Sequence, residues 1–242
     1  MDGASTYSSE LTTHHPCQRS LIVHLLHLDS SARRDSVSRR LGQEFASVFR
    51  TDPGASVTYR DLAAQPVPHI TEGWTRICDN LLRDQISDLS ELHRGARTTE
   101  ERAAWAVVEP LLAELVAADV VLISAPMYNF GIPSSLKAWI DQVTFPRMNL
   151  GHRRFVVAAA QGGSYTPGRP RAPMEHHVRY LSDFIVGHYS VEPPISVVAE
   201  LNNARVDPAL AHLQEAHEAS LADAIASARA AARQVIPLEE VR

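Results

Sequence analysis

The stretch Asp119-Val120-Val121-Leu122-Ile123-Ser124-Ala125-Pro126-Met127-Tyr128-Asn129-Phe130-Gly131-Ile132-Pro133-Ser134-Ser135-Leu136-Lys137-Ala138-Trp139 decides the fold. Residues 119–124 form a β-branched run with no polar alternation, the pattern of a central parallel strand covered on both faces. Pro133 suits a first helical position, and Leu136, Trp139, Ile140 and Val143 then recur at helical spacing to give one apolar face. Met127 to Phe130 therefore crown a strand where an open α/β sheet binds its ligand.

Working outward, residues 21–28 read as a first strand and the polar residues 29–38 lead into a helix through Phe49, with Leu41, Phe45 and Val48 on one side. A second strand is expected at 56–62, followed by an excursion to Arg97 that contains a helix around residues 74–92. Thr98 and Glu101 make a capping-box pattern for a helix running toward Ala118, and Pro110 predicts a kink or fresh start within it. Beyond the Met127 loop come a helix to about Val143, a strand at 155–160, a helix near 174–186, a strand at 195–199 and an alanine-rich helix from Pro208 to about Val235. Strands alternating with helices predict an α/β fold, a doubly wound five-stranded parallel sheet with helices on both faces.

The Met127 string, with its Pro-x-x-Leu-Lys continuation, resembles the flavin loop of the FMN-dependent NAD(P)H azoreductases and quinone reductases, which share a flavodoxin-like fold. The resemblance spans about residues 21–236. It implies that Met127, Tyr128, Asn129 and Phe130 contact FMN, along one edge and face of the isoalloxazine ring.

Two further loops bear on the same chemistry. The loop after the first strand carries four serines and two arginines where a helix begins. Free backbone N–H groups and a helix dipole of roughly half a positive charge attract an anion there. Ser30, Ser36 and Ser38, with the main chain of Val37, are candidates for a phosphate cage, and this arrangement resembles the phosphate loop of the same family. It is neither a Walker loop nor a Gly-x-Gly-x-x-Gly fingerprint, so a mononucleotide phosphate is expected; taken alone, Ser-rich loops are more often helix caps. After the fourth strand, Gln161, Gly162 and Gly163 allow close backbone approach to a flat ligand and are candidates for contacts to the flavin carbonyl oxygens; the alternative is a simple turn.

Where family members often carry Arg and His, this chain has Gln161 and Tyr165, and its segment 142–154 is short for the family's insertion over the flavin. Phe145 in that segment either reaches the ring or packs under the loop. Tyr165 is the one side chain nominated as a catalytic contact, for proton transfer or orientation of the acceptor. The resemblance implies ping-pong kinetics. Nicotinamide, from NADH or NADPH, gives hydride to the flavin and leaves, and a small-molecule acceptor, a quinone or an azo compound, takes its place. Because a cofactor does the hard chemistry, no side-chain nucleophile is required. The rivals are a specialised biosynthetic flavoenzyme on the same fold and a non-catalytic electron carrier.

Composition narrows the rest. A net charge of −5 over 242 residues gives no basic surface for nucleic acid. The twelve histidines are scattered, His176 and His177 point different ways on a helix, and no metal site is expected. Cys17 and Cys78 form no redox pair, and no apolar run approaches the roughly 20 residues that cross a bilayer. The chain reads as cytoplasmic, with a disordered extension expected at 1–20 and one flavodoxin-like domain over 21–242. A homodimer is implied by the resemblance, in which the 63–97 excursion helps to enclose the flavin.

Overall fold

A computed structural model describes residues 23–236. The expected extension at 1–20 lies outside them. Five parallel strands, β1 (Val23–Asp29), β2 (Ala55–Asp61), β3 (Val120–Pro126), β4 (Arg154–Ala160) and β5 (Ile195–Ala199), form one sheet in the order β2-β1-β3-β4-β5. The order reverses direction between β1 and β3, where Asp29 pairs with Ser124. That switch point opens a crevice at the carboxyl ends of the strands.

Alternation along the strands sorts side chains into two cores. Leu26, Leu28, Val121, Ile123, Val157 and Ala159 face one side, against α3 (Thr99–Ala117), α4 (Ser134–Val143) and α5 (Val178–Tyr189). Leu25, Val120, Leu122, Val156 and Val197 face the other, against α1 (Val37–Phe49) and α6 (Gln214–Val235). In the first core Trp139 of α4 is fully buried, and in the second Phe45 and Phe49 of α1 stack with ring centroids 6.1 Å apart. Each such side chain contributes roughly 1.5–3 kcal/mol by leaving water.

Three boundaries differ from expectation for identifiable reasons. The helix expected around 74–92 is α2 (Glu72–Arg83), which stops early because Gln85 turns left-handed at φ 56°. Gln85 N–H donates to Leu82 O and Ile86 N–H to Leu81 O, so the carbonyls at the helix end are paired as in a Schellman motif. The helix α3 has the expected capping box but runs through Pro110 with no fresh start, held by buried Val108, Leu111, Leu112 and Leu115. The helix α5 begins four residues later than expected because Glu175 caps it, accepting from the N–H groups of His177, Val178 and Arg179.

The short segment 142–154 settles Phe145. Its ring is 1% exposed and packs against Trp74 and Trp105, with centroids 5.5 and 6.0 Å away. It lies under the loop, in the core.

Candidate functional site

The Met127 loop forms a two-residue hairpin. Tyr128 and Gly131 exchange both backbone hydrogen bonds at 3.0 Å, and Asn129 and Phe130 between them sit at φ 49° and 69°. Positive φ at both central positions marks a tight I′-type turn, which Asn tolerates and Phe does not favour. Left-handed backbone costs a non-glycine residue about 1–2 kcal/mol, so Phe130 is held there by its surroundings. Its carbonyl accepts from His176 N–H, and its ring lies edge-on to Tyr165, leaving it 40% exposed at the sheet edge.

Beside the hairpin, four loops enclose a cavity of about 240 Å³. Ser36 and Val37 come from the start of α1, Met127 and Tyr128 from the loop after β3, Gly162 from the loop after β4, and Asn202 and Asn203 from the 3-10 turn Asn202–Arg205 after β5. At the α1 end, Ser36 is the N-cap residue yet makes no side-chain cap bond, and no acidic residue occupies the first turn. Instead the Ser36 and Ser38 hydroxyls lie 2.9 Å apart, both buried. The first N–H groups of α1 are thus left without a side-chain cap, a setting in which an external anion can be accommodated. Tyr128 closes the near wall, its hydroxyl accepting from Ala32 N–H at 3.3 Å.

At the opposite end the amide of Asn202 is oriented by its neighbours. Its Nδ2 donates to Gln161 O and Ala199 O at 2.8 Å each, while Oδ1 is buried with no partner. A buried acceptor without a donor costs about 1–3 kcal/mol, so this wall suits a ligand carrying an N–H group. Cationic Arg33 and Arg205 border the same cavity. A flat ring bearing a monophosphate at one end and an imide at the other, as in FMN, fits this set of donors and acceptors.

Not every predicted residue joins this group. Ser30 donates its hydroxyl to Ser124 O at 3.0 Å and borders a separate hollow, so Ser31 stands in its place along the cavity. Ser38 lies behind Ser36. Asn129 borders an adjoining hollow of about 640 Å³ on the far side of Tyr128. Gln161 turns its side chain away, and its Nε2 donates to Glu175 at 3.0 Å. Gly163 packs against the ring of Tyr165, and Tyr165 is 9% exposed with its N–H on Glu200. Sequence reasoning missed Ser31, Arg33, Asn202, Asn203 and Arg205. The last three follow β5 and therefore lie at the same carboxyl edge as the three loops that were read.

Comparison with known proteins identifies the family and the fold. The model of the Flavodoxin_2 family, described as a flavodoxin-like fold, matches residues 23–224. An FMN-dependent NADH:quinone oxidoreductase of Nocardia farcinica is 57% identical over 206 residues, covering 85% of this chain and 95% of the relative. One of the same name from Streptomyces avermitilis is 37% identical over 87% of this chain and 96% of its own length. Among solved structures, an azoreductase from Bacillus anthracis superposes with a TM-score of 0.69 at 22% identity, over 88% of this chain and 99% of that one. An FMN-dependent NADH-azoreductase from another strain of that species, solved in complex with FMN, gives 0.68 at 21% identity over 88% and 99%. At that identity the two structures speak for the fold. The family match across the sheet and its loops, together with the identity to the curated oxidoreductases, makes this chain a member of the flavodoxin-like Flavodoxin_2 family.

Proposed function

We propose that the protein is an FMN-dependent NADH:quinone oxidoreductase that also reduces azo compounds. The observation that carries this reading is the uncapped start of α1 facing a cavity where the loops after β1, β3, β4 and β5 meet. The names of the relatives that match most of the chain support it.

When bound, FMN supplies the two-electron chemistry, accepting electrons from NADH, or from NADPH as a second donor, and passing them to the acceptor. The protein holds and shields. Ser36 and the main chain at Val37 would hold the phosphate, with the Ser38 hydroxyl orienting that of Ser36 from behind and Arg33 balancing the charge. Met127 and Tyr128 would line one edge of the ring, Asn129 and Phe130 would shape that edge from the hairpin, and Gly162, with Gly163 behind it, would give the backbone room at the other edge. The Asn202 Oδ1, buried without a partner, would accept from the ring imide. Tyr165 acts through Phe130, and Ser30 and Gln161 act by shaping their loops.

The hollow of about 640 Å³ beyond Tyr128, with Ile132, Ala138 and Tyr180 in its wall, is where donor and acceptor enter in turn. Tyr128 and Phe130 are 36% and 40% exposed beside it, and a second copy of the chain covering that face gives a homodimer. Cys78, the free cysteine of the described residues, fits a reducing cytoplasm. No helix among the described residues is long and apolar enough to cross a membrane.

The test is the visible spectrum of the purified protein before and after anaerobic NADH. A yellow protein that releases FMN and bleaches with NADH is expected. One that stays colourless through an FMN titration overturns the reading, and bound flavin that neither NADH nor NADPH reduces favours an electron carrier.

A further inference from the structure

Arg39 is a buried cation in the first turn of α1 that makes no contact with the cavity. It is 8% exposed, and every one of its guanidinium N–H groups has an acceptor. Nε donates to Arg33 O at 3.0 Å; Nη1 donates to Asp29 Oδ2 at 3.2 Å and Tyr59 Oη at 3.0 Å; Nη2 donates to Ser31 O at 2.7 Å and Asp61 Oδ1 at 2.8 Å. One side chain thus ties the ends of β1 and β2 to two carbonyls of the loop that borders the cavity.

The geometry of the peptide bond turns that tie into a consequence for the ligand. In a trans peptide the carbonyl and the following N–H point opposite ways. With the Ser31 carbonyl drawn down to Arg39, the Ala32 N–H faces the other side, where it meets the Tyr128 hydroxyl in the cavity wall. Charge is not what Arg39 offers, because Asp29 and Asp61 are both within hydrogen-bond distance and the cluster carries no surplus of positive charge.

We propose that Arg39 is a positioning residue that shapes the loop at residues 30–36 for a monophosphate, and so sets the preference for FMN over unphosphorylated riboflavin. The inference rests on the FMN reading above. Lysine cannot replace it: a single ammonium cannot span two loop carbonyls and two carboxylates, although it keeps the charge.

The experiment titrates the full-length chain, stripped of flavin, with FMN and with riboflavin, and measures the thermal midpoint of each variant. Arg39→Lys should weaken FMN binding roughly tenfold or more, the equivalent of one charge-assisted hydrogen bond, while riboflavin changes less than about twofold. Equal losses for both ligands, or no loss, overturn the proposal. If Arg39→Lys does not fold, Asp61→Asn decides. It loosens one grip on the guanidinium at a partly exposed position and should lower FMN affinity roughly threefold with riboflavin unchanged. An unchanged FMN-to-riboflavin ratio in that variant overturns the proposal as well. A wild type that binds both ligands alike removes the phosphate site and this inference together, whereas a selective wild type with an unselective role for Arg39 removes the inference alone.

Discussion

The ring of Phe130 meets the ring of Tyr165 edge-on, with centroids 6.2 Å apart and planes at 77°. Phe130 occupies a left-handed conformation that its own side chain disfavours, so something outside the turn must hold it, and Tyr165 is a buried ring in contact. The contact with Phe130 is made by the ring of Tyr165, which gives that ring a structural role.

Tyr165→Phe should therefore keep FMN affinity and both half-reactions within about twofold, while Tyr165→Ala, which removes an aromatic contact of roughly 0.5–1.5 kcal/mol along with its packing, should slow both. Stopped-flow measurement of each half-reaction decides. Selective slowing of the oxidative half in Tyr165→Phe would show that the hydroxyl orients or protonates the acceptor.

Ser36 and Ser38 separate two roles that serine loops commonly play. Since Ser36 makes no cap bond, its loss should cost the flavin-free protein far less than the roughly 0.5–2 kcal/mol of a true N-cap. FMN retention should suffer instead, by roughly 1.5–3 kcal/mol for each hydrogen bond to the charged phosphate. The double change Ser36→Ala with Ser38→Ala, followed by fluorescence titration and thermal unfolding, is expected to show weak FMN binding in a protein of nearly unchanged stability. The reverse pattern, intact binding with a lowered midpoint, assigns these serines to the helix.

Strands β3 and β4 were legible as nearly unbroken apolar runs, β1 and β5 although polar residues such as His24, His27 and Ser196 interrupt them, and the Met127 to Phe130 loop because its aromatic and amide residues end such a run; β2, with Ser56, Thr58, Tyr59 and Arg60, is the least apolar of the five. What stayed hidden depended on partners distant in sequence. Gln85 ends α2 in a left-handed turn where no glycine advertises it, and Glu175 caps α5 with a residue type that is uncommon in that role. Gln161 was assigned to the flavin from its position in a loop, but its amide found Glu175, fourteen residues on, which no local pattern encodes. Asn202 and Asn203 carry no motif; only the rule that all strand ends share one edge points to them. Arg39 reads as an ordinary helix-surface charge until Asp29, Tyr59 and Asp61 surround it.

His177 gives a pH dependence whose sign is fixed by burial. Neither ring nitrogen has a partner, the residue is fully buried, and burial pushes its pKa from 6.5 down to about 4 against a smaller opposing pull from Glu175. Below pH 6.5 the unfolded chain takes up a proton that the folded chain refuses, so stability is fully present above that value and lost as pH falls toward 4. The loss approaches about 3 kcal/mol across the window. Urea unfolding at pH 7.5 and pH 5, values chosen to lie roughly on either side of the ordinary histidine pKa, should show a smaller difference for His177→Leu than for wild type. Asp29 and Asp61 act in the same direction but lower. Burial would raise the Asp29 pKa, yet His27, Tyr59 and Arg39 outweigh it and hold it below 3.8, and the Arg39 hydrogen bond lowers that of Asp61. Equal slopes for wild type and the leucine variant would remove His177 from the acid response.

A shared entrance makes a kinetic prediction. The hollow beyond Tyr128 is bordered by the hairpin on one side and by His69, Lys137 and His176 on the other, and on the proposed reading nicotinamide and quinone would stack on the same flavin face. Donor and acceptor must therefore alternate, and double-reciprocal plots at several fixed acceptor concentrations should be parallel. With Phe145 buried under the loop, the chain's own short segment adds no aromatic cover to that face, so bulky quinones should be accepted at least as readily as small ones. Gly162→Val should damage both half-reactions, because a side chain at that position meets the Asn203 side-chain amide at 2.7 Å and must push it out of its place beside the cavity. Gly163→Val should be milder, since its nearest neighbour is the Tyr165 ring at 3.5 Å. Intersecting lines would mean that donor and acceptor bind together and the hollow is not shared; greater damage from the change at Gly163 than at Gly162 would move the close backbone approach one residue along the loop.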